Sequence, residues 1–276
     1  MKIARYEIGD TAVWGLVDTN SGTVRPIRAP FSAWAPALTD GAGEDVLALA
    51  AEPLPLAALH LLPPLETGSQ AFAVGANYLR HLEELKMTPP TAPIAFIKSS
   101  RSLIGAHDDI IHTSITSQLD YEGELVAVMG RSITNPTNPI ASVLGYMVGN
   151  DVSARDLQRT GLGFDLFSAK SLDRTSGLGP WLVTRDEFGI GTPDLRLSLS
   201  VNGETRQDSR TGLMRWKLDE LLIYIEARSS LRTGDVLFTG TPEGVAWADG
   251  RFLKAGDLVE ATIEGIGTIR NRVVAG

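Results

Sequence analysis

Cysteine is absent from the 276 residues of the chain, which excludes disulfide bonds, thiolate catalysis and cysteine-ligated zinc or iron–sulfur centres. Long apolar stretches are absent too, because no segment approaches the roughly 20 apolar residues that a membrane-spanning helix needs. The first ten residues, MKIARYEIGD, contain no apolar core of a secretory signal. The sequence therefore predicts a cytoplasmic protein that has no membrane partner.

Clusters of basic residues are also missing. The formal net charge is −8, whereas nucleic-acid-binding proteins concentrate Lys and Arg on one face. We therefore expect no nucleic-acid partner. Hydrophobic residues make up 43% of the chain and charged residues 21%, so the chain has enough apolar side chains for a core and disorder is not expected.

Several common catalytic motifs do not occur. The sequence has no G-x-x-x-x-G-K-[ST], no H-E-x-x-H and no G-x-S-x-G. Gly161-Leu162-Gly163 and Gly265-Ile266-Gly267 lack the third glycine of a dinucleotide-binding fingerprint. ATP binding, NAD binding and serine hydrolysis are thus poorly supported.

The first part of the chain is predicted to form short β-strands. Strand-like segments at 1–7, 12–17 and 23–27 are separated by turn formers, and a short helix is predicted over 45–51. The turn-rich stretch at 62–70 predicts a boundary between a small β-rich N-terminal domain, residues 1–65, and a larger domain, residues 66–276. The alternative is a surface loop within one domain.

The rest of the chain consists mainly of short apolar segments punctuated by glycine. Helical patterns occur only at 78–86 and 217–229. A long strand series with few helices predicts an α+β fold that is predominantly β, not a doubly wound parallel sheet. The predicted strands are 125–129, 143–148, 195–201, 236–239 and 258–263.

Three carboxylates occupy strand ends. Glu122 and Glu124 lead into the apolar run 125–129, and the period of two places them on one face of a strand. Asp151 follows the apolar run 143–148. Hard carboxylate oxygens without an adjacent histidine suit Mg²⁺ or Mn²⁺ better than Zn²⁺. From the residues alone, Glu-x-Glu is usually a solvated strand face, and Asp151 is equally a turn or capping residue.

Eight ordered segments over roughly residues 70–272 resemble the fumarylacetoacetate hydrolase family. That resemblance implies a mixed β-roll or β-sandwich catalytic domain and a homodimer. The segments are GANYLRHLEE (75–84), DYEGEL (120–125), GYMVGNDVSARDLQ (145–158), SAKSLD (168–173), GPW (179–181), VNGE (201–204), LFTGTPEGV (237–245) and EGIGTIRN (264–271).

The resemblance also implies which residues form the active site. Glu122, Glu124 and Asp151 match the family's metal ligands, which implies Mg²⁺, with Mn²⁺ as the other possibility. Lys170 matches the active-site lysine, whose ammonium stabilises developing negative charge. Without the resemblance, Lys170 is equally an ordinary surface lysine.

The same resemblance assigns His81 and Glu84 to a lid segment over the metal. Their spacing of three places them on one helix face, so Glu84 can orient the imidazole of His81. A solvated helix face is the alternative from the residues alone. Candidate substrate contacts are Gln158, Lys98, Gly240 and Thr241, although the Thr-Gly-Thr-Pro stretch at 239–242 is equally a plain β-turn.

Some positions depart from the family pattern. Lys98 is followed by Ser99-Ser100 where proline is common, Ala169 replaces a frequent glycine, and the stretch 174–177 replaces Thr-Phe-x-Pro. These departures concern the substrate pocket more than the metal ligands. They leave the identity of the substrate open.

The resemblance implies a Mg²⁺-dependent hydrolase that cleaves a C–C bond of a small 1,3-dicarbonyl, such as an acylpyruvate or another 2,4-dioxo acid. The path would run through a metal-bound enolate, with His81 and Glu84 activating water. An oxaloacetate-type decarboxylase or a keto–enol isomerase that uses the same site is the alternative. A binding module without turnover is the alternative from a different class.

Overall fold

The computed structural model describes residues 1–161 and 163–276, so that Leu162 of the Gly161-Leu162-Gly163 segment lies outside the described residues. The first part of the chain folds as predicted into three antiparallel strands. Two shorter strands and one helix complete it. These elements are β1 (Lys2–Ile8), β2 (Thr11–Asp18), β3 (Thr23–Pro26), α1 (Phe31–Thr39), β4 (Leu54–Pro55) and β5 (Leu61–Leu62).

The remaining chain is rich in strands. Its elements are β6 (Ala71–Gly75), α2 (Leu79–Glu84), β7 (Ile94–Lys98), β8 (Leu103–Ile104), β9 (Ile110–His112), β10 (Leu119–Asp120), β11 (Gly123–Met129), β12 (Val143–Asn150), β13 (Ser153–Ala154), α3 (Arg155–Gln158), β14 (Arg159–Thr160), β15 (Gly163–Phe164), α4 (Leu166–Lys170), β16 (Ser176–Thr184), β17 (Arg196–Val201), β18 (Glu204–Arg210), α5 (Leu218–Glu226), β19 (Val236–Phe238), α6 (Ala246–Asp249), β20 (Leu258–Ile263) and β21 (Gly267–Ala275).

One large mixed sheet organises the described part of the chain. Its strands follow the order β4-β3-β2-β1-β16-β12-β11-β19-β6-β7, while β5 pairs with β1 and β8 pairs with β16. β1 runs antiparallel to β16, with Lys2 opposite Val183. The strands of the first 62 residues therefore extend the same sheet that holds β11 and β12.

A second sheet packs beside the first. It has the order β18-β17-β20-β21-β9. Alternation along β11 divides its side chains between two cores. Leu125 and Ala127 join the core that contains the apolar residues of the second sheet and of α5. Val126 and Val128 join the core on the other side, which contains Trp34 of α1. Both faces of β11 are therefore buried.

These features confirm the predicted α+β, predominantly β fold. Two local predictions differ from the structure. The helix predicted over 45–51 is only a 3₁₀ turn at Glu44–Leu47, because Leu49 pairs with Ile27 in a β-bridge. Helix α1 was not predicted from the sequence. It contains Pro36 and has no side-chain cap at Pro30, so the usual start signal of a helix is missing and a proline interrupts its interior.

Within residues 1–161 and 163–276, no helix combines the length and the apolar character that crossing a bilayer requires.

Candidate active site

The three carboxylates meet where β11 begins and β12 ends. Glu124 is the second residue of β11, and Glu122 directly precedes that strand. Asp151 follows β12. Since Gly123 lies opposite Asn150 in the antiparallel pair, the strand ends adjoin, and the Asp151 N–H donates to the Glu122 carbonyl over 2.8 Å. One carboxylate oxygen of each acid lies within 4.8 Å of the others, and all three side chains are buried. We call these residues the acidic triad.

Two buried lysines contact the acidic triad. The Lys170 ammonium, at the end of α4, donates to Glu122 Oε2 over 2.5 Å and to Asp151 Oδ2 over 2.8 Å. The Lys98 ammonium, at the end of β7, donates to Asp151 Oδ1 and, over 2.5 Å, to the carbonyl of Lys170. Burial lowers the pKa of Lys98 despite Asp151. Burial also works to lower the pKa of Lys170, but Asp151 and Glu122 outweigh it and raise that pKa.

The two glutamates differ in their electrostatic surroundings. Burial works to raise the pKa of Glu122, yet the charges of Lys170 and Arg155 hold it at about 2. For Glu124, burial and the negative charges of Asp151 and Glu122 raise the pKa well above its usual range. The positive charges of Lys98 and Lys170 therefore leave the negative charge of the acidic triad least compensated at Glu124.

An ion pair that was not predicted from the sequence lies beside the acidic triad. The guanidinium of Arg155 donates to Asp120 Oδ2 over 2.7 Å, to Glu122 Oε1 over 2.5 Å and to Gln158 Oε1 over 3.0 Å. Asp120 also accepts from the backbone N–H groups of Ala246 and Trp247. Arg155 therefore fixes Glu122. The signal was present in the sequence, because Arg155 belongs to the matched segment 145–158.

His81 and Glu84 form the predicted pair. His81 Nδ1 lies 2.9 Å from Glu84 Oε1, and both residues belong to α2, which is shorter than the predicted helix over 78–86. The Glu84 carboxylate also accepts from the N–H of Gly244, at 2.9 Å from Oε2. This contact ties α2 to the segment that follows β19. Because Nδ1 is hydrogen-bonded to Glu84, Nε2 is the nitrogen that can accept a proton from a substrate.

A single cavity brings most of the predicted residues together. Its free space is about 70 Å³. The polar residues that line it are His81, Glu122, Glu124, Arg155, Gln158, Lys170 and Thr241.

The remaining predicted substrate contacts lie behind the acidic triad. Lys98 does not line the cavity and contacts Asp151 instead. Gly240 donates its N–H to Glu124 Oε2 over 2.8 Å, and its φ of +97° favours glycine. Their predicted contact with a substrate stays a prediction.

The chemistry of the acidic triad fits a divalent cation. Three convergent carboxylate oxygens are hard ligands, and a cation would offset the burial and the mutual repulsion that together raise the pKa of Glu124. The triad could therefore hold such an ion. Its three side chains do not by themselves select Mg²⁺ or Mn²⁺.

Comparison with known proteins agrees with this fold and site. The family described as "Fumarylacetoacetate (FAA) hydrolase C-terminal" matches residues 70–274, and the one described as "Rv2993c-like, N-terminal" matches residues 1–64. The solved structure of 2-hydroxyhepta-2,4-diene-1,7-dioate isomerase from Mycobacterium marinum superimposes with a TM-score of 0.80 at 31% identity, over 100% of this chain and 98% of that one.

Two curated relatives carry the name oxaloacetate tautomerase. YisK from Bacillus subtilis is 39% identical over 209 residues, 72% of this chain and 68% of its own length. The mitochondrial FAHD2A of Bos taurus is 36% identical over 226 residues, 80% of this chain and 71% of its own length. Fold, site and relatives define an enzyme with a buried acidic site. The chain belongs to the fumarylacetoacetate hydrolase family.

Proposed function

We propose that the protein is a divalent-metal-dependent enzyme that interconverts the keto and enol forms of a small 2-oxo acid. One observation carries this proposal: the imidazole of His81 lines the same cavity as Glu122 and Glu124, two members of the acidic triad. Further support comes from the relatives, which are named tautomerases and isomerases. This was the alternative in the sequence analysis, where C–C hydrolysis came first.

Glu122, Glu124 and Asp151 would hold the cation, for which we propose Mg²⁺ with Mn²⁺ as the other candidate. When bound, the cation supplies Lewis-acid polarisation and a template for two oxygens of a 2-oxo acid. Lys98 and Arg155 keep Asp151 and Glu122 in place through their ion pairs.

In this reaction, one proton leaves C3 of the substrate and one reaches the oxygen on C2, so that neither water nor an oxidant is consumed. His81 Nε2 takes the proton from C3, and Glu84 holds the opposite nitrogen of the ring. The charge of Lys170 favours the negative charge that develops on the substrate oxygen. Gln158 and Thr241 orient the carboxylate of the substrate from the lining of the cavity.

C–C hydrolysis of an acylpyruvate or another 2,4-dioxo acid is the second candidate. The observation that favours it is the anchoring of Glu84 by the N–H of Gly244, because a fixed carboxylate and imidazole suit the activation of water. Decarboxylation of an oxaloacetate-type acid also requires stabilisation of the negative charge that develops on the substrate oxygen, but it requires no attacking water.

Replacing His81 tests the proposal. We expect H81A to slow the exchange of the C3 protons of 2-oxobutanoate into deuterium oxide, followed by NMR with Mg²⁺, by about 10²–10⁴-fold. The control is E83Q, which changes an exposed neighbour on α2 and should retain the wild-type rate. Equal rates for H81A and the wild type would contradict the proposed role. Acylpyruvate cleavage that requires His81, without catalysed tautomerisation, would instead support the hydrolase.

We also propose a domain boundary at residues 65 and 66, a homodimer and a cytoplasmic location. The family matches at 1–64 and 70–274 support the boundary. The other two rest on the sequence and its resemblance.

A further inference from the structure

Apart from the polar residues already named, the active-site cavity has an apolar lining. Leu85 and Met87 contribute from the end of α2, Ile94 and Phe96 from β7, and Leu166 and Trp247 from α4 and α6. These side chains are partly exposed. Ligand-binding cavities that enclose an apolar part of a ligand usually have such an apolar lining.

This apolar lining adjoins the charged groups directly. The Lys170 ammonium lies 6.0 Å from the centre of the Phe96 ring, and the Arg155 guanidinium lies 5.1 Å from the Trp247 ring. A substrate whose 2-oxo acid end occupies the acidic side therefore extends its other end along Phe96 and Trp247.

Cations that could receive a second carboxylate are already engaged. Among the described residues that line the cavity, the basic ones are His81, Arg155 and Lys170. His81 pairs with Glu84, Arg155 with Asp120 and Glu122, and Lys170 with Glu122 and Asp151. Arg159 does not line the cavity, and its guanidinium packs on the rings of Trp247 and Phe164 at 4.9 and 5.7 Å.

We propose that the preferred substrate is a monocarboxylic 2-oxo acid whose distal group is apolar and uncharged. The inference rests on the proposed function, and it departs from the dicarboxylates in the names of the relatives. A distal carboxylate would lose its hydration beside Phe96 and Leu166, and the cations that line the cavity already have carboxylate partners, so its burial there is unfavourable.

Calorimetric binding to the Mg²⁺-loaded enzyme tests this preference. We expect each added methylene from pyruvate through 2-oxobutanoate to 2-oxopentanoate to tighten binding roughly fourfold. 2-Oxoglutarate has as many carbons as 2-oxopentanoate but ends in a carboxylate, and we expect it to bind roughly tenfold more weakly or worse. Equal or tighter binding of 2-oxoglutarate would overturn the inference.

Two variants place a cation on the apolar lining. L166R and I94R should shift the preference towards 2-oxoglutarate. Because Ile94 is 36% exposed, we expect I94R to leave the fold intact. The matched control is F167R, because Phe167 is 74% exposed and does not line the cavity. A shift in F167R equal to that in L166R would also contradict the inference, because distant charge alone would explain it.

Exchange of the C3 protons into deuterium oxide, followed by NMR, separates the two proposals. Binding with the expected preference but without catalysed exchange would overturn the proposed function and leave the apolar preference standing. Catalysed exchange with a preference for 2-oxoglutarate would overturn only the inference. Absence of both binding and exchange would overturn both.

Discussion

Among the three carboxylates of the acidic triad, Glu124 has the least positive charge beside it. Lys170 donates to Glu122 and Asp151, whereas Glu124 accepts from the N–H of Gly240. We expect E124Q to weaken binding of Mg²⁺ and Mn²⁺ by at least about 100-fold, because it removes a charged ligand that contributes more than an outer-shell partner. Titration calorimetry measures this affinity.

The metal-free protein provides a second readout for the same variant. Glutamine replaces a buried carboxyl group whose ionisation is opposed by burial and by the charges of Asp151 and Glu122, and it keeps the shape of the side chain. The melting temperature of metal-free E124Q should therefore equal or exceed that of the wild type. E44Q, at an exposed ion pair with Arg25, should bind metal normally. Unchanged metal affinity in E124Q would exclude Glu124 as a ligand.

At the scale of residues, the sequence predicted the charged groups that converge but not every role. The acidic triad, Lys170 and the pair of His81 and Glu84 lie together because strand ends and a short helix bring them there. Lys98 and Gly240, which were predicted to contact the substrate, contact carboxylates of the acidic triad, and their contact with a substrate stays a prediction. A sequence pattern identifies a polar residue near a site, but the direction of its side chain depends on tertiary packing.

At the scale of elements, the site depends on the close approach of β12 and β16. A Cβ at Gly145 would lie 2.1 Å from the carbonyl oxygen of Val183, and backbone atoms cannot rotate away. We expect G145A to lower the free energy of unfolding by about 1–3 kcal/mol. Urea unfolding followed by circular dichroism measures this loss.

A glycine in a matched setting provides the control. Gly75 ends β6, and a Cβ there would meet nothing within 4 Å, so G75A should keep most of the wild-type stability. An equal loss in both variants would point to a general cost of alanine in strands and not to the contact with Val183.

The elements themselves were predicted unevenly. β1, β2 and β20 were recognised because turn formers or alternation delimit them. α1 was missed, since Pro36 lies inside it and Pro30 provides no side-chain cap. In the segment predicted as a helix at 45–51, Leu49 instead pairs with Ile27 in a β-bridge. Such long-range pairing overrides local propensity and leaves no periodic trace in one sequence.

At the scale of the whole molecule, the first strands join the catalytic region at more than one place. Near the end of β5, Leu61 approaches Gly105 so closely that a Cβ there would lie 2.0 Å from the Leu61 carbonyl oxygen. Beside this contact, His60 Nε2 lies 2.6 Å from Asp108 Oδ1, and His60 Nδ1 lies 3.3 Å from Glu7 Oε2. One imidazole thus connects β1 with the segment after β8.

This imidazole should make stability depend on pH. The hydrogen bond to Asp108 raises the pKa of His60 above its usual range, against partial burial. Because the folded-state pKa is the higher one, the stabilisation is complete below the unfolded pKa of about 6.5. It is lost as the pH rises through the folded pKa. H60Q should therefore lower the free energy of unfolding near pH 5.5 and leave it unchanged near pH 9. Because the side chain is half exposed, we expect this loss to be no more than about 1 kcal/mol.

His107 supplies a control of opposite sign in the same segment. Burial and the positive charge of Arg270 lower its pKa, so protonation of His107 destabilises the folded state as the pH falls below its unfolded pKa. H107Q should gain stability relative to the wild type at acidic pH, where H60Q loses it. Melting temperatures of the three proteins between about pH 5 and 9 measure both effects. Parallel curves for H60Q and the wild type would show that the contact with Asp108 contributes nothing to joining the two parts of the chain.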